Sequence, residues 1–239
     1  DISKALDEFK RLYKAGIASA AEIMTLHRAY PDNEVYQKEA RKLEKRDVEP
    51  VVLGGPASVE LVDREGHLIT TDALGRAFDN YMKSFRTRNA MVLHSDVQVG
   101  WALPAYINKS GQIFKSGVNE NGLFFITEMR NDTKISDRVK EQINEGRLKS
   151  YSIAGSATKM QNMTKGLQSY MQVDDLELAE VTVCEKGVNQ GASFDLLKSD
   201  KPAQKSCADG SCLTKSAPKP IEEITMVMKS TGNVDFTQT

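Results

Sequence analysis

The stretch that decides the fold reads GRLKSYSIAGSATK and spans residues 146–159. Its alternating pattern predicts a strand, on which side chains two residues apart share a face. Small side chains occupy one face of this strand: Ser150, Ser152 and Ala154. Strands usually carry bulky or branched side chains, so the small side chains on this face and the glycine that follows them, Gly155, require an explanation. Either the backbone bends or closely approaches another segment, or Ser152 is a nucleophile with open space above it for a substrate carbonyl.

The run Ala154-Gly155-Ser156 bears on both interpretations. If the chain turns here, its backbone N–H groups could point toward a developing oxyanion. If it does not, the serine hydroxyls only hydrogen-bond to the backbone near the end of a strand. The pattern alone leaves both interpretations open.

A base for such a nucleophile is offered by the segment AMVLHSD, residues 90–96. It predicts a short strand that ends at His94 and leaves the imidazole half exposed, as a general base must be. An ordinary surface histidine would fit this pattern as well. His67, in a turn context, and His27, in the N-terminal helices, are weaker candidates.

The segment LELAEVTVC, residues 176–184, predicts a further strand with Glu180 at its centre. Alternation places Leu178, Glu180 and Thr182 on one face. A charge in an otherwise apolar strand costs free energy unless it is paired. His94 would supply that partner, because an imidazole that takes a serine proton needs an acceptor at its other nitrogen. A lysine or arginine partner, or a solvent-facing position, is the alternative. With a serine nucleophile, these are the parts of an acyl-transfer site.

The whole chain divides into three predicted regions. Residues 1–47 contain short amphipathic segments, with a capping box at Ser19 and Glu22, and predict a helical N-terminal extension. Residues 51–198 contain strand-like runs with two interposed helices. This pattern predicts an α+β domain whose mostly β core forms a small, closed or nearly closed barrel with helices packed outside. Residues 199–239 are polar and rich in Lys, Ser and Pro, and predict a flexible C-terminal tail.

Composition and charge argue against several classes of protein. The net charge of −1 does not fit a nucleic-acid binder that works by bulk charge. No apolar run approaches the roughly 20 residues that span a bilayer, so no membrane partner is predicted. The cysteines, Cys184, Cys207 and Cys212, and the scattered histidines lack metal-ligand spacing. Neither a metal nor another cofactor is therefore predicted, and a reducing cytoplasm is expected.

Three segments, in this order, resemble the prohead maturation proteases of tailed bacteriophages: VLHSDVQVGWA, GRLKSYSIAGSA and LAEVTVCEKGVNQGASFDLL. The resemblance covers about residues 51–198. It implies a fold like that of the herpesvirus assemblins, a small β-barrel ringed by helices. It also implies a serine endopeptidase that acts in the host cytoplasm, inside the immature capsid, on scaffold and major capsid proteins. Self-cleavage and assembly into a homo-oligomer are left open.

The resemblance also implies roles for the site residues. Ser152 matches the nucleophile and His94 matches the base. Glu180 matches the acidic residue of the closing strand, with Asp96 as the alternative third member. The chain departs from the family pattern at Gly155, which stands one position later than the family glycine. The alternative function is a non-catalytic capsid-assembly or scaffold protein that retains the protease fold.

Overall fold

The computed structural model of the protein describes residues 2–46, 49–83 and 88–197. Five helices lie in these ranges: α1 (Ser3–Lys14), α2 (Ala20–Ala29), α3 (Glu34–Lys45), α4 (Thr71–Met82) and α5 (Lys134–Asn144). The same ranges hold eleven strands: β1 (Val52–Ser58), β2 (His67–Ile69), β3 (Asn89–Val92), β4 (Gln98–Ala102), β5 (Ala105–Ile107), β6 (Ile113–Lys115), β7 (Gly117–Asn119), β8 (Gly122–Met129), β9 (Ser150–Lys165), β10 (Gln168–Cys184) and β11 (Asp195–Leu196). None of these helices is long and apolar enough to cross a membrane. The predicted tail, 199–239, lies outside the described residues.

Nine of the described strands form one sheet, in the order β11-β1-β8-β4-β3-β10-β2, with β7 beside β8 and β9 beside β10. Strands β5 and β6 form a separate pair. Most neighbours are antiparallel, but β10 runs parallel to both β2 and β3. The fold is therefore mixed α+β and mostly sheet, as the sequence predicts.

The sheet does not close into the predicted barrel within the described residues, because no strand pairing joins β9 to β1. The chain segment that leads into β11 bridges this gap instead. The N–H of Ser193 donates to the carbonyl of Pro56 on β1 (2.9 Å), and the N–H of Phe194 donates to the carbonyl of Lys149, just before β9 (3.2 Å). This segment therefore lies between β1 and the start of β9.

One face of the long β9–β10 hairpin builds the core of the sheet. The side chains that it buries there include Tyr151, Ile153, Val181 and Val183. Tyr151 packs edge-on against Phe125, with ring centroids 5.5 Å apart, and its hydroxyl donates to Thr127 Oγ1 (3.0 Å). This packing fixes the orientation of β9. With Tyr151 in the core, Ser152 points to the opposite face of the strand.

A β-bulge interrupts the pairing of β9 with β10. Leu178 and Glu180 pair with consecutive residues of β9, Gly155 and Ala154, so β10 contains one extra residue at this point. The extra residue reverses the alternation, and Leu178 lies in the core. The prediction that Leu178 shares a face with Glu180 and Thr182 is therefore wrong for Leu178.

The N-terminal helices pack against the sheet. The capping box predicted at Ser19 and Glu22 is present and starts α2. An apolar cluster joins α2 to the sheet and contains Ala21, Val52, Leu103 and Ile126. The N–H of Ala21 also donates to Oε1 of Glu128 on β8 (3.0 Å). Burial raises the pKa of Glu128 to about 7, although the hydrogen bonds that it accepts act in the opposite direction.

Candidate active site

Ser150 and Ser152 lie on the same face of β9, but the fold uses only one of the two hydroxyls. Ser150 Oγ donates to the carbonyl of Ala192 (2.9 Å) and accepts from the N–H of Gly187 (3.0 Å). It thereby ties the start of β9 to the loop that follows β10. Ser152 is 4% exposed, and its hydroxyl has no hydrogen-bond partner among the described residues. Ser150 therefore has a structural role, and the oxygen of Ser152 remains free to react.

Gly155 does not form the turn that would have presented N–H groups to an oxyanion. Strand β9 continues past it to Lys165, and Gly155 pairs with Leu178. A Cβ at this position would lie 2.1 Å from the carbonyl oxygen of Glu177, so only glycine fits without displacement of the backbone. The oxyanion interpretation of this run is wrong, and the close backbone approach at the bulge explains the glycine.

His94 lies just beyond the end of β3. The strand ends at Val92, and Leu93 and His94 both have φ of 51°, in the left-handed region. Both backbone N–H groups of this turn donate to β10: Leu93 N–H to the carbonyl of Val183 (3.0 Å), and His94 N–H to Thr182 Oγ1 (3.1 Å). The side chain of His94 is 8% exposed, so it is more buried than the half-exposed strand end that the sequence predicts.

The half-buried Glu180 carboxylate pairs with His94. The distance from His94 Nδ1 to Glu180 Oε1 is 2.7 Å, which is a short, charge-assisted contact. Glu180 is brought to this position by the bulge, which turns its side chain away from the core. Burial raises the pKa of the Tyr81 phenol, and the negative charge of Glu180 raises it further. Asp96, the alternative third member, is exposed, and no ion pair joins it to His94 in the described part of the chain.

The polar side chains of Ser152, Thr182 and Glu180 lie on one face of the β9–β10 hairpin. Ser152 pairs directly with Thr182, and Ala154 pairs with Glu180. Directly opposed residues of an antiparallel pair place their side chains on the same face, with Cβ atoms about 5 Å apart. His94 contacts both Thr182 and Glu180, so it lies over the strand that neighbours the serine. No hydrogen bond joins Ser152 Oγ to His94 among the described residues.

A small cavity next to Ser152 is lined by residues that the sequence did not single out as site residues, apart from His67 as a weaker candidate for the base. His67 and Asp63 line it together with Ser58 and Asn189. His67 Nδ1 lies 3.6 Å from Glu65 Oε2 and 3.9 Å from Asp63 Oδ1. Burial raises the pKa of the Asp63 carboxyl. The signal in the sequence was the DREGH turn, whose aspartate accepts from the N–H groups of residues 65 and 67.

The described residues contain no group of three or more His, Cys, Asp or Glu side chains placed to hold a metal ion. The candidate site brings together the free hydroxyl and the carboxylate of the hairpin face and the imidazole of His94. These are the groups that nucleophilic acyl transfer uses.

Comparison with known proteins points to one family. One solved structure that matches is that of KSHV protease in complex with a hexapeptide phosphonate inhibitor, with 11% sequence identity and a TM-score of 0.32. The match covers 61% of this chain and 64% of the KSHV protease chain, so it spans less than two thirds of the length of KSHV protease. No curated protein matches. The family model of the caudovirus prohead serine proteases matches residues 73–206, a range that includes His94, Ser152 and Glu180. Since this range is more than half of the chain, the protein belongs to the caudovirus prohead serine protease family.

Proposed function

We propose that the protein is a serine endopeptidase of capsid maturation, with Ser152 as nucleophile, His94 as base and Glu180 as the residue that orients the base. The observation that carries this proposal is the 2.7 Å contact between His94 Nδ1 and Glu180 Oε1, on the hairpin face that bears the free hydroxyl of Ser152. The family membership supports the same activity.

The contact determines which nitrogen of His94 works as the base. In the neutral imidazole, Nδ1–H donates to Glu180, so the lone pair lies on Nε2. Ser152 Oγ bonds to the carbonyl carbon of the scissile peptide while its proton passes to Nε2. The C–N bond then breaks, and Nε2 returns the proton to the leaving amine. A water molecule repeats the sequence on the acyl-enzyme and releases the second product.

Ser152 is buried, and no hydrogen bond joins its hydroxyl to His94 among the described residues. Catalytic hydrogen bonds are often long in substrate-free enzymes and shorten in the Michaelis complex. We infer that a bound peptide brings Ser152 Oγ and His94 Nε2 within hydrogen-bond distance.

The substrates that fit the family are the scaffold and major capsid proteins, cleaved inside the procapsid in the host cytoplasm. Self-cleavage in residues 199–239 belongs to the same proposal, and Pro220-Ile221-Glu222-Glu223 offers an apolar-x-acidic sequence there. This segment lies outside the described residues. Mass spectrometry of the chain from mature particles tests this part: an intact tail in every copy would reject trimming there.

Co-expression with the cognate shell and scaffold proteins tests the activity itself. The intact enzyme is expected to process them, and the Ser152→Ala variant is not. A matched control is Ser156→Ala, which removes a partly exposed hydroxyl from the same strand and should leave processing intact. Equal processing by the Ser152→Ala variant would show that another residue is the nucleophile.

The alternative, a non-catalytic assembly protein with the protease fold, predicts a different outcome. Such a protein would bind shell or scaffold protein without cutting it, and the Ser152→Ala and wild-type chains would then support assembly equally. The paired imidazole and carboxylate favour the enzyme, because a binding protein has no need of an oriented base next to a free hydroxyl.

A further inference from the structure

We propose that Thr182 is a positioning residue for the base: its hydroxyl holds the backbone of His94 in the left-handed conformation that presents the imidazole to Ser152. This inference rests on the proposed function and deepens it. Thr182 does not touch the reacting atoms. It acts through His94.

The turn that carries the base is conformationally unfavourable. Leu93 and His94 are consecutive, and both have φ of 51°. A residue with a Cβ enters this region at a cost in free energy, and two in succession need support from the surrounding structure. Leu93 is also exposed, so little side-chain packing holds it in place. Support within the turn comes from the N–H and the hydroxyl of Ser95, which donate to the carbonyl of Val92 (3.0 and 2.6 Å), and the rest comes from hydrogen bonds to the neighbouring strand.

Both backbone N–H groups of the turn donate to β10, and only one of these two hydrogen bonds ends on a side chain. The bond from Leu93 N–H to the carbonyl of Val183 joins two backbone groups (3.0 Å). The bond from His94 N–H ends on the hydroxyl oxygen of Thr182 (3.1 Å). Thr182 is fully buried, so water has no access to replace its hydroxyl as an acceptor. Without that hydroxyl, the amide of the base would have no partner.

The position of Thr182 makes it suited to this role. It pairs directly with Ser152 across the hairpin, and it lies two residues from Glu180 on the same face. One side chain thus fixes the base relative to both the nucleophile and the orienting carboxylate. A displacement of about 1 Å in such a site can reduce the rate on the order of 10²-fold.

The test compares Thr182→Val with Thr182→Ser in the full chain. Valine keeps the branched shape but removes the acceptor, whereas serine keeps the acceptor. Thr25→Val is a matched control. Thr25, in α2, is equally buried, and its hydroxyl also accepts from a backbone N–H, that of Ile107 (3.3 Å). The probe is a fluorophosphonate, which phosphonylates an activated serine. Its maximal labelling rate and its half-saturation concentration are measured separately, with melting temperatures for all variants.

The expected result is a labelling rate for Thr182→Val that is on the order of 10²-fold lower, with an unchanged half-saturation concentration. Thr182→Ser and Thr25→Val should label close to the wild-type rate, although both valine variants lose a buried hydrogen bond and melt earlier. The proposal is overturned if Thr182→Val labels as fast as the wild type, or if Thr182→Ser labels as slowly as Thr182→Val. If Thr182→Val does not fold, Thr182→Ala replaces it in the same comparison.

A second measurement separates this proposal from the proposed function. If the wild-type chain takes up no probe, the assignment of the enzyme fails, and NMR of ¹⁵N-histidine then decides the role of Thr182. A changed His94 amide resonance and ring tautomer in Thr182→Val, restored in Thr182→Ser, supports the positioning role. Identical His94 resonances in all three chains overturn it.

Discussion

At the scale of single residues, Ser150 and Ser152 are two serines on one strand face with different roles: the first stabilises the fold, and the second is the proposed nucleophile. The hydroxyl of Ser150 bridges the backbone of the loop after β10, and the hydroxyl of Ser152 bridges nothing among the described residues. The two alanine variants should therefore fail in opposite ways.

Ser152→Ala is expected to reduce turnover by roughly 10⁶, as loss of the nucleophile does in serine proteases. Its free energy of unfolding should stay within about 0.5 kcal/mol of the wild type, because the lost hydroxyl has no partner. Ser150→Ala should lose about 1–3 kcal/mol of stability, since the N–H of Gly187 is then buried without an acceptor. Denaturant titration and a cleavage assay of both variants check this. A stable, fully active Ser150→Ala variant would contradict the structural role.

The two histidines near the nucleophile give a second prediction at this scale. His94→Ala should be about as damaging as Ser152→Ala, because nucleophile and base act as a unit. Glu180→Gln should reduce activity less, since both of those groups remain. His67→Ala should keep substantial activity, because His67 contacts Asp63 and Glu65 rather than Glu180. A dead His67→Ala variant beside an active His94→Ala variant would reverse the assignment of the base.

At the scale of elements, the bulge between β9 and β10 sets the orientation of Glu180, and Gly155 permits the bulge. Gly155→Ala should lose about 1–3 kcal/mol or more of stability, because the new methyl group would meet the carbonyl of Glu177 at 2.1 Å. Gly75→Ala is the matched control: it lies in α4 with nothing near the added methyl, so it should gain about 0.4–1 kcal/mol. Thermal melts of both variants, with activity measured alongside, test this. Equal melting temperatures would contradict the close approach.

The sequence predicts the faces of β9 correctly because they depend on local alternation. The core side of Tyr151 and the polar side of Ser152 follow from period two alone. The face of Leu178 and the left-handed turn at His94 could not be predicted in this way. Both arise from pairing with distant segments, β9 in one case and β10 in the other, and nothing local in LELAEVTVC or AMVLHSD marks them. The pairing of His94 with Glu180 was predicted from the cost of an unpaired charge, and the structure places these two side chains in contact.

At the scale of the whole molecule, the N-terminal helices meet the sheet through a buried acid. Glu128 accepts from the N–H of Ala21 and from the indole of Trp101 (3.1 Å), and burial raises its pKa to about 7. The unfolded chain would have a glutamate pKa near ~4.3. Since the folded chain binds the proton of Glu128 more tightly than the unfolded chain does, protonation of Glu128 stabilises the fold. This stabilisation is fully present below pH ~4.3 and is lost as the pH rises through about 7.

The wild-type chain should therefore lose about 2–3 kcal/mol of this contribution between about pH 5 and pH 8. The free energy of unfolding of Glu128→Gln should depend less on pH, because the glutamine side chain does not titrate. The variant also loses one hydrogen-bond acceptor. Urea titrations of both chains at the two pH values check this. Parallel profiles for the two chains would contradict the raised pKa of Glu128.

The division of the chain into an N-terminal extension, residues 1–47, and a separate domain at 51–198 stays a prediction. The contacts of α2 with Leu103, Ile126 and Glu128 point the other way, because removal of α2 would expose this apolar surface. The melting temperature and solubility of a fragment of residues 51–198 decide whether the domain folds without the N-terminal helices. A fragment as stable as the full chain would support the independent domain, and an aggregated one would assign the helices to the core.

The central claim is that Ser152 is the nucleophile, and the most direct measurement is the mass-spectrometric location of a fluorophosphonate adduct on the intact chain. Trypsin should release residues 150–159, SYSIAGSATK, which contain three serines. Fragmentation is expected to place a single adduct on Ser152, with none on Ser150 or Ser156, and Ser152→Ala should remove it. An adduct on another residue, or undiminished labelling of Ser152→Ala, would contradict the account.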